Sequence, residues 1–457
     1  MASSSASPAG APTEFDPAAI IAAMQIATTT KAGASDPEAT IVRLGNGVRI
    51  VAIPLPHLQS VNVSVFVRTG SSHEGRRLNG ISHFVEHMAF KGTHTRSCQE
   101  INLDAERLGA DVNAHTDKDH TAYHMRGLAG DAPSFVAMLG DIVRNSSFPE
   151  AELERERQVI LHELTEDEED VLSTADKLFD RLSYGSHPIA QPVIGSRLTI
   201  QHIGRADLLD YVGRQYTGAN VVVGIVGRFD ADAVVAAAEA AFAAMPAGRE
   251  NVVEAPVYAG GVASRVQPGY SQTNVVLGYP IASGRDDDHA GTVAAALFGE
   301  GMSSPLMDEI RERRGLVYYA SCAAEVNELS GRFVIEASTS PAQLDEFLAE
   351  VRRLLQARAL AIDPAELERA RRQIAVRTLR AQERPTRRLE DAALDLFVHG
   401  RVRSRTELLA RVDAVGGEDV RAVFARMLAA PPALAIAGRM KKGASERARA
   451  LFATTSR

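Results

Sequence analysis

Ala151-Glu152-Leu153-Glu154-Arg155-Glu156-Arg157 returns 214 residues later as Ala365-Glu366-Leu367-Glu368-Arg369-Ala370-Arg371, identical except where Glu156 meets Ala370. At the same offset His83-Phe84-Val85-Glu86-His87-Met88 falls on Leu297-Phe298-Gly299-Glu300-Gly301-Met302, sharing Phe, Glu and Met. With the offset three shorter, Val226-Gly227-Arg228 falls on Ala437-Gly438-Arg439. Helices rich in Ala, Glu and Arg can match by composition, but two matches at one spacing in unlike contexts point to a duplicated unit. The copies are placed at 39–248 and 263–446, joined by a Gly/Pro-bearing linker over 249–262, with tails at 1–38 and 447–457.

Local patterns fill each copy with both helix and strand. Val48 to Ile53 and Ile41 to Leu44 flank Gly45-Asn46-Gly47, a hairpin signature. Residues 61–67 alternate as a strand, and helices are expected over 83–90, 100–108 (ending at Gly109), 132–145, 150 to about 172, 206–215 and 231–244, with a buried strand over 220–226. The fold class is α+β: two homologous α/β-sandwich domains, each an antiparallel sheet with helices, related by internal duplication.

Composition narrows the class. The 457 residues are 45% hydrophobic and 24% charged, enough for two or more cores. Lys+Arg 50 against Asp+Glu 58 gives a net charge of −8, and no electrostatic basis for a nucleic-acid or anionic-membrane partner. Two cysteines, Cys98 and Cys322, are too few for a disulfide framework and fit a reducing compartment. Residues 1–38 carry one basic residue, Lys31, against Glu14, Asp16, Asp36 and Glu38, unlike a transit or secretory signal. They read as a disordered or loosely docked tail on a soluble cytoplasmic protein.

His83-Phe84-Val85-Glu86-His87 has the H-x-x-E-H arrangement. Four residues of helix turn the chain by about 400°, so His83 and His87 project from one face one turn apart, as two imidazole ligands on one cation require. Glu86 lies between them in angle, placed to face water on such a cation rather than to bind it. A catalytic zinc takes three protein ligands, and the long helix after Pro149 offers two carboxylates on one face, Glu156 and Glu163, seven residues apart. In the second copy His83 becomes Leu297, His87 becomes Gly301, Glu156 becomes Ala370 and Glu163 becomes Arg377. Joint loss of these groups is what a metal site confined to one copy predicts, and a merely solvated helix face does not.

These residues resemble those of the pitrilysin/insulinase superfamily of zinc peptidases, and particularly the small-subunit branch containing bacterial homologues of the mitochondrial processing peptidase β subunit. The resemblance runs from about residue 40 and rests on Gly80-Ile81-Ser82 leading into His83 to Thr93, Asn113-Ala114-His115-Thr116, Glu154 to Glu163, the His187-Pro188 turn, Gly301-Met302-Ser303-Ser304 and Gly315-Leu316-Val317-Tyr318. It implies one Zn2+ per catalytic domain, held by His83, His87 and Glu163, with Glu86 as general base and Glu156 behind the ligands. It implies that Asn113, Ala114 and Phe90 contact substrate, and that Arg311 and Tyr318 meet the substrate carbonyl; Tyr319 competes, but the seven-residue spacing favours Tyr318. The subunit would be one half of a clamshell enclosing peptides or unfolded polypeptide as a homodimer, with a heterodimer of related subunits, or a non-catalytic scaffold, as alternatives.

Where processing enzymes of this kind carry acidic residues ten and fourteen positions past the last zinc ligand, this chain has Ser173 and Lys177, against strict arginine-directed cleavage. The run Glu166-Asp167-Glu168-Glu169-Asp170 lies nearby and reads as either a solvated face or an attractor of cationic peptides. Gly299-Glu300-Gly301 lacks the rest of a phosphate-binding motif and is assigned to chamber lining or helix packing. Loss of one transition-state donor typically costs about 2.7–4 kcal/mol, so Arg311→Ala is expected to slow peptide turnover roughly 100- to 1,000-fold while the zinc content by elemental analysis stays unchanged.

Overall fold

The computed structural model describes residues 39–453, so the tail expected over 1–38 lies outside the described residues. Strands β1 (Thr40–Arg43) and β2 (Arg49–Pro54) form the expected antiparallel hairpin, Thr40 opposite Ala52. Gly47 takes φ +94° in its turn, and the Asn46 amide ties that turn down by donating to the Phe242 and Met245 carbonyls at 2.8 and 3.0 Å. β3 (Ser60–Val67), β4 (Asp111–Thr116), β5 (Thr121–Leu128) and β6 (Val221–Gly227) complete a six-stranded sheet in the order β1-β2-β6-β3-β5-β4.

The second half repeats that order. β7 (Gly261–Val266), β8 (Thr273–Ile281), β9 (Val317–Val326), β10 (Gly331–Thr339) and β11 (Ala433–Gly438) are arranged β7-β11-β8-β10-β9. Strand by strand this is the first sheet without β1. Neither sheet is wholly antiparallel, contrary to expectation: β2 runs parallel to β6, and β7 to β11. The last strand of each half returns after a long helical excursion and inserts between β2 and β3 in the first sheet and between β7 and β8 in the second, a connection long enough to permit the parallel pairing.

Each sheet is apolar on both faces. In the first, Val61, Val63, Val65 and Val223 turn towards helices Ile81–Ala89, Ala132–Asn145 and Ala231–Phe242 of the same half. The alternate residues, among them Val51, Phe66, Val222 and Val226, meet Leu389, Ala393, Leu396 and Phe397 of helix Pro385–His399, which belongs to the second half of the sequence. The counterpart of that helix is Val171–Tyr184, starting 214 residues earlier. It packs in the opposite sense, setting Val171, Ala175 and Phe179 against Val276, Val334, Ala433 and Ala435 of the second sheet. The two copies thus exchange one helix each. Charge pairs bind the exchanged elements, with Arg332 2.5 Å from Asp180 and its guanidinium 4.6 Å over the Phe179 ring.

Three boundaries differ from the expected ones. The helix from Glu150 stops at Glu169, because Asp170 takes an extended conformation and its carboxylate accepts from the Leu172 and Ser173 amides to start the next helix. Five consecutive acidic residues at a helix C-terminus oppose the macrodipole and favour that break. β7 begins inside the expected linker, whose Tyr258 hydroxyl donates to the Gly278 carbonyl at 2.9 Å. Helix Ala444–Phe452 runs through the boundary drawn at 446, burying Ala448 and Phe452 in the second core.

The exchanged helices sit close to glycine-bearing strands. A Cβ on Gly224 would lie 2.7 Å from Leu389 Cδ1, and one on Gly278 2.5 Å from Phe179 Cζ. Gly224→Ala is expected to destabilise the chain by about 1–3 kcal/mol through overpacking and Leu389→Ala by about 2–5 kcal/mol through the cavity it leaves. Denaturant unfolding of the double variant should show less loss than the sum, since the two changes relieve one contact.

Candidate metal centre

The helix Ile81–Ala89 begins where Gly80 adopts φ +94°, with the Ile194 carbonyl 2.8 Å from any Cβ there, so no larger residue fits. Its first turn is held by the fully buried Glu74, whose carboxylate accepts from the Gly80 and Ser82 amides at 2.7 and 2.8 Å and from the Asn79 side chain at 2.9 Å. A carboxylate at a helix N-terminus satisfies orphan amides and complements the dipole. Nothing in the sequence pattern marked Glu74, because it lies outside the helix it caps.

On this helix His83 and His87 project together, their Nε2 atoms 3.2 Å apart. Glu163, from helix Glu150–Glu169, brings Oε2 to 3.6 Å from His87 Nε2 and 3.9 Å from His83 Nε2. Ligands about 2.0–2.1 Å from a tetrahedral zinc stand roughly 3.3 Å from one another, so the three atoms fit one ion with little movement. Burial, reinforced by the adjacent His87, lowers the His83 imidazole to about 3, leaving it neutral with a lone pair to donate. Its Nδ1 is buried without a hydrogen-bond partner among the described residues, so packing sets the orientation of that ring.

Glu156 settles on a different task from Glu163. Its Oε1 lies 3.3 Å from His87 Nδ1 and its Oε2 2.7 Å from Lys91 Nζ. It is nearly buried, and although burial pushes its carboxyl up, the His87 and Lys91 bonds outweigh that and hold it below the ordinary range. Burial likewise opposes protonation of His87, but the Glu156 bond and the charges of Glu163 and Glu86 leave its affinity for a proton raised. A histidine whose second nitrogen meets a carboxylate is fixed in ring orientation and strengthened as a ligand. Glu86 stands aside from the ligand set; Thr116 at the end of β4 donates to its Oε2 at 2.6 Å, and burial pushes its carboxyl upward.

Other expected site residues divide. Asn113 and Ala114 lie on β4, the edge strand of the sheet, where the Ala114 amide donates to the Asn113 side-chain oxygen at 2.8 Å. Phe90, half-buried, closes the metal-site helix and packs 6.1 Å from the Tyr123 ring. Arg311, in the helical turn Leu306–Arg313, contacts Met302 and Glu312, and Tyr318 at the start of β9 is 69% exposed. Neither bonds to the metal-site residues of its own chain among those described. The acidic run is largely engaged internally: Asp167 with Ser173 and Lys177, Glu168 with Arg197 at 2.9 Å, Glu166 with His162 at 3.5 Å.

The second copy shows what replaces the centre. Its helix Ala290–Gly299 stops short, and Gly301, at the place of His87, turns to φ +86°. Arg377, at the place of Glu163, pairs with Glu300 at 2.7 Å. A guanidinium thus supplies the positive charge between these two helices. Both residues line a cleft of about 2210 Å³ between the halves, into which Arg372, Arg380, Arg387 and Arg388 also face.

The sequence profile described as "Insulinase (Peptidase family M16)" matches residues 49–196, and that described as "Peptidase M16 inactive domain" matches 202–374. An "uncharacterized zinc protease" of Rickettsia bellii is 30% identical over 400 residues, 87% of this chain and 97% of that one. The chain belongs to the insulinase family of peptidases. A similarly named protein of Bacillus subtilis is 29% identical over 394 residues, 86% of this chain and 96% of its own. In fold, the insulinase-family chain superposes on a protease from Helicobacter pylori with a TM-score of 0.79 at 22% identity, covering 88% of this chain and 99% of that one. A "peptidase M16 inactive domain" from Pseudomonas fluorescens gives a TM-score of 0.79 at 21% identity, with 88% and 99% covered. Among the described residues no helix is long and apolar enough to cross a membrane.

Glu156→Gln removes the charge behind His87 and leaves all three donor atoms. It is expected to weaken zinc about 10- to 100-fold, read by competition with a chromogenic chelator, whereas Thr116→Val should leave zinc affinity unchanged.

Proposed function

We propose that the chain is a zinc-dependent endopeptidase that hydrolyses peptides or unfolded protein segments, with His83, His87 and Glu163 holding the metal and Glu86 as general base. The observation that carries this reading is Glu86 itself, a half-buried carboxylate on the ligand helix that takes no place among the three converging donors. Bound zinc supplies Lewis acidity, bringing the pKa of a coordinated water towards about 7. Thr116 fixes Glu86 Oε2 and leaves Oε1 to receive the proton of an attacking water and return it to the leaving amine. Burial makes that carboxylate a better proton acceptor than a solvated one. The edge of β4 at Asn113 and Ala114 offers backbone groups to an extended peptide, which would add as a further strand.

Arg311 and Tyr318 complete the reading. Their exposure, and their lack of any bond to their own chain's centre among the described residues, support a dimer in which each subunit presents them to the other's substrate carbonyl, inside a closed chamber. The same observation favours a second reading, a heterodimer in which a related chain supplies one of the two parts. Both cysteines are free thiols, which suits a cytoplasmic setting.

Glu86→Gln is expected to keep its zinc and lose peptide hydrolysis; retained turnover would refute the assignment. Mixing inactive Glu86→Gln chains with slowed Arg311→Ala chains should raise cleavage well above that of either alone, because one of the two sites in a hybrid dimer is then intact. Loss of activity that mixing cannot restore, in chains that do dimerise, would count against the shared site.

A further inference from the structure

A second convergence of metal-ligand side chains lies on the opposite face of the first sheet. His115 of β4 and His120 of the turn after it bring their Nε2 atoms to 3.3 Å from each other. Glu390 Oε1, from the exchanged helix Pro385–His399, lies 3.7 Å from each of them. These separations match the edges of a zinc-sized tetrahedron at least as closely as those of the first centre. No helical periodicity links the three residues; sheet register and helix exchange bring them together.

The surroundings are arranged as ligand support. His115 Nδ1 is 3.0 Å from His124 Nε2, and His124 Nδ1 is 2.7 Å from Ser64 Oγ. When His115 Nδ1 donates to His124 and His124 Nδ1 donates to Ser64, every hydrogen bond is satisfied and the His115 Nε2 lone pair is left free for a cation. The Glu390 Oε2 is held by Arg387 at 3.3 Å, which leaves Oε1 turned to the histidines. His120 is buried, its side chain 4% exposed, yet it borders the cleft between the halves, and the His115 side chain is 40% exposed, so an ion has an approach.

We propose that His115, His120 and Glu390 bind a second borderline divalent cation of the zinc class, clasping the exchanged helix of the second half to the sheet of the first. Two imidazoles and a carboxylate favour Zn2+, Co2+ or Ni2+ over Mg2+ or Ca2+. The clasp is independent of the peptidase reading, because none of its ligands touches the first centre. Its role is to fix the helix that covers the far face of the first sheet, and with it one wall of the cleft.

Co2+ titration of the full chain carrying His83→Ala and His87→Ala, which lacks the first centre's imidazoles, tests it. One cobalt per chain is expected, with the visible ligand-field absorption of a tetrahedral site. Adding His115→Ala, at a side chain 40% exposed and outside the apolar core, should weaken cobalt by at least about 100-fold, and His124→Phe by about 10- to 100-fold, the range of a supporting residue. Zn2+ should raise the melting temperature of the His83→Ala/His87→Ala chain and not that of the same chain with Glu390→Gln, an isosteric change, since an ion bound only by the folded state stabilises it. Absence of cobalt binding in the first variant, or binding that His115→Ala and Glu390→Gln leave unchanged, overturns the proposal. So does cobalt that binds with octahedral, weakly absorbing spectra.

Discussion

Neither sheet can bury its second face with residues of its own half. β6 and β11 are buried along their whole length, with apolar side chains on both sides of the sheet. Such strands need a layer above and a layer below. Each half makes one of these layers from its own helices and receives the other from its copy, through Pro385–His399 in one direction and Val171–Tyr184 in the other. Burial of the second faces therefore couples the folding of the two halves, and the geometry of the cleft follows from where the exchanged helices lie.

The candidate metal centre inherits its geometry from this frame. Helix Ile81–Ala89 is pinned at its start by Glu74 and Gly80, and helix Glu150–Glu169 leads through the Asp170 break directly into the exchanged helix. The orientation of Glu163 towards the histidines is thus tied to the seat of Val171–Tyr184 on the second sheet. The same fold carries an ion pair, Arg377 with Glu300, in the other copy. There an arginine stands in for two imidazoles and a carboxylate and keeps an attraction across the same place in the fold.

Much of this was legible in the sequence where the relevant physics is local. The H-x-x-E-H spacing puts His83 and His87 on one helix face whatever surrounds them, and the 214-residue repeat announced two copies, as the matching strand orders bear out. Other features were not legible. The acidic residues 166–170 were open to a functional reading until their partners Lys177, Arg197 and His162 became visible. The parallel pairs β2·β6 and β7·β11 escaped because strand direction depends on where a chain returns, not on its pattern.

The sequence by itself determined the helices and strands, the doubling of one α+β unit and the two-histidine face beside Glu86, because periodicity and spacing act over a few residues of one element. Helix spacing by itself left Glu156 and Glu163 equivalent on one face, the family resemblance favoured Glu163, and the tertiary structure sets Glu163 beside the histidine pair and Glu156 behind His87 by their height along that helix. Only the tertiary structure joined His115 and His120 to Glu390, 270 positions beyond His120. Side chains so far apart in the chain meet through packing that no local pattern encodes, here the exchange of two helices required to cover two apolar sheets.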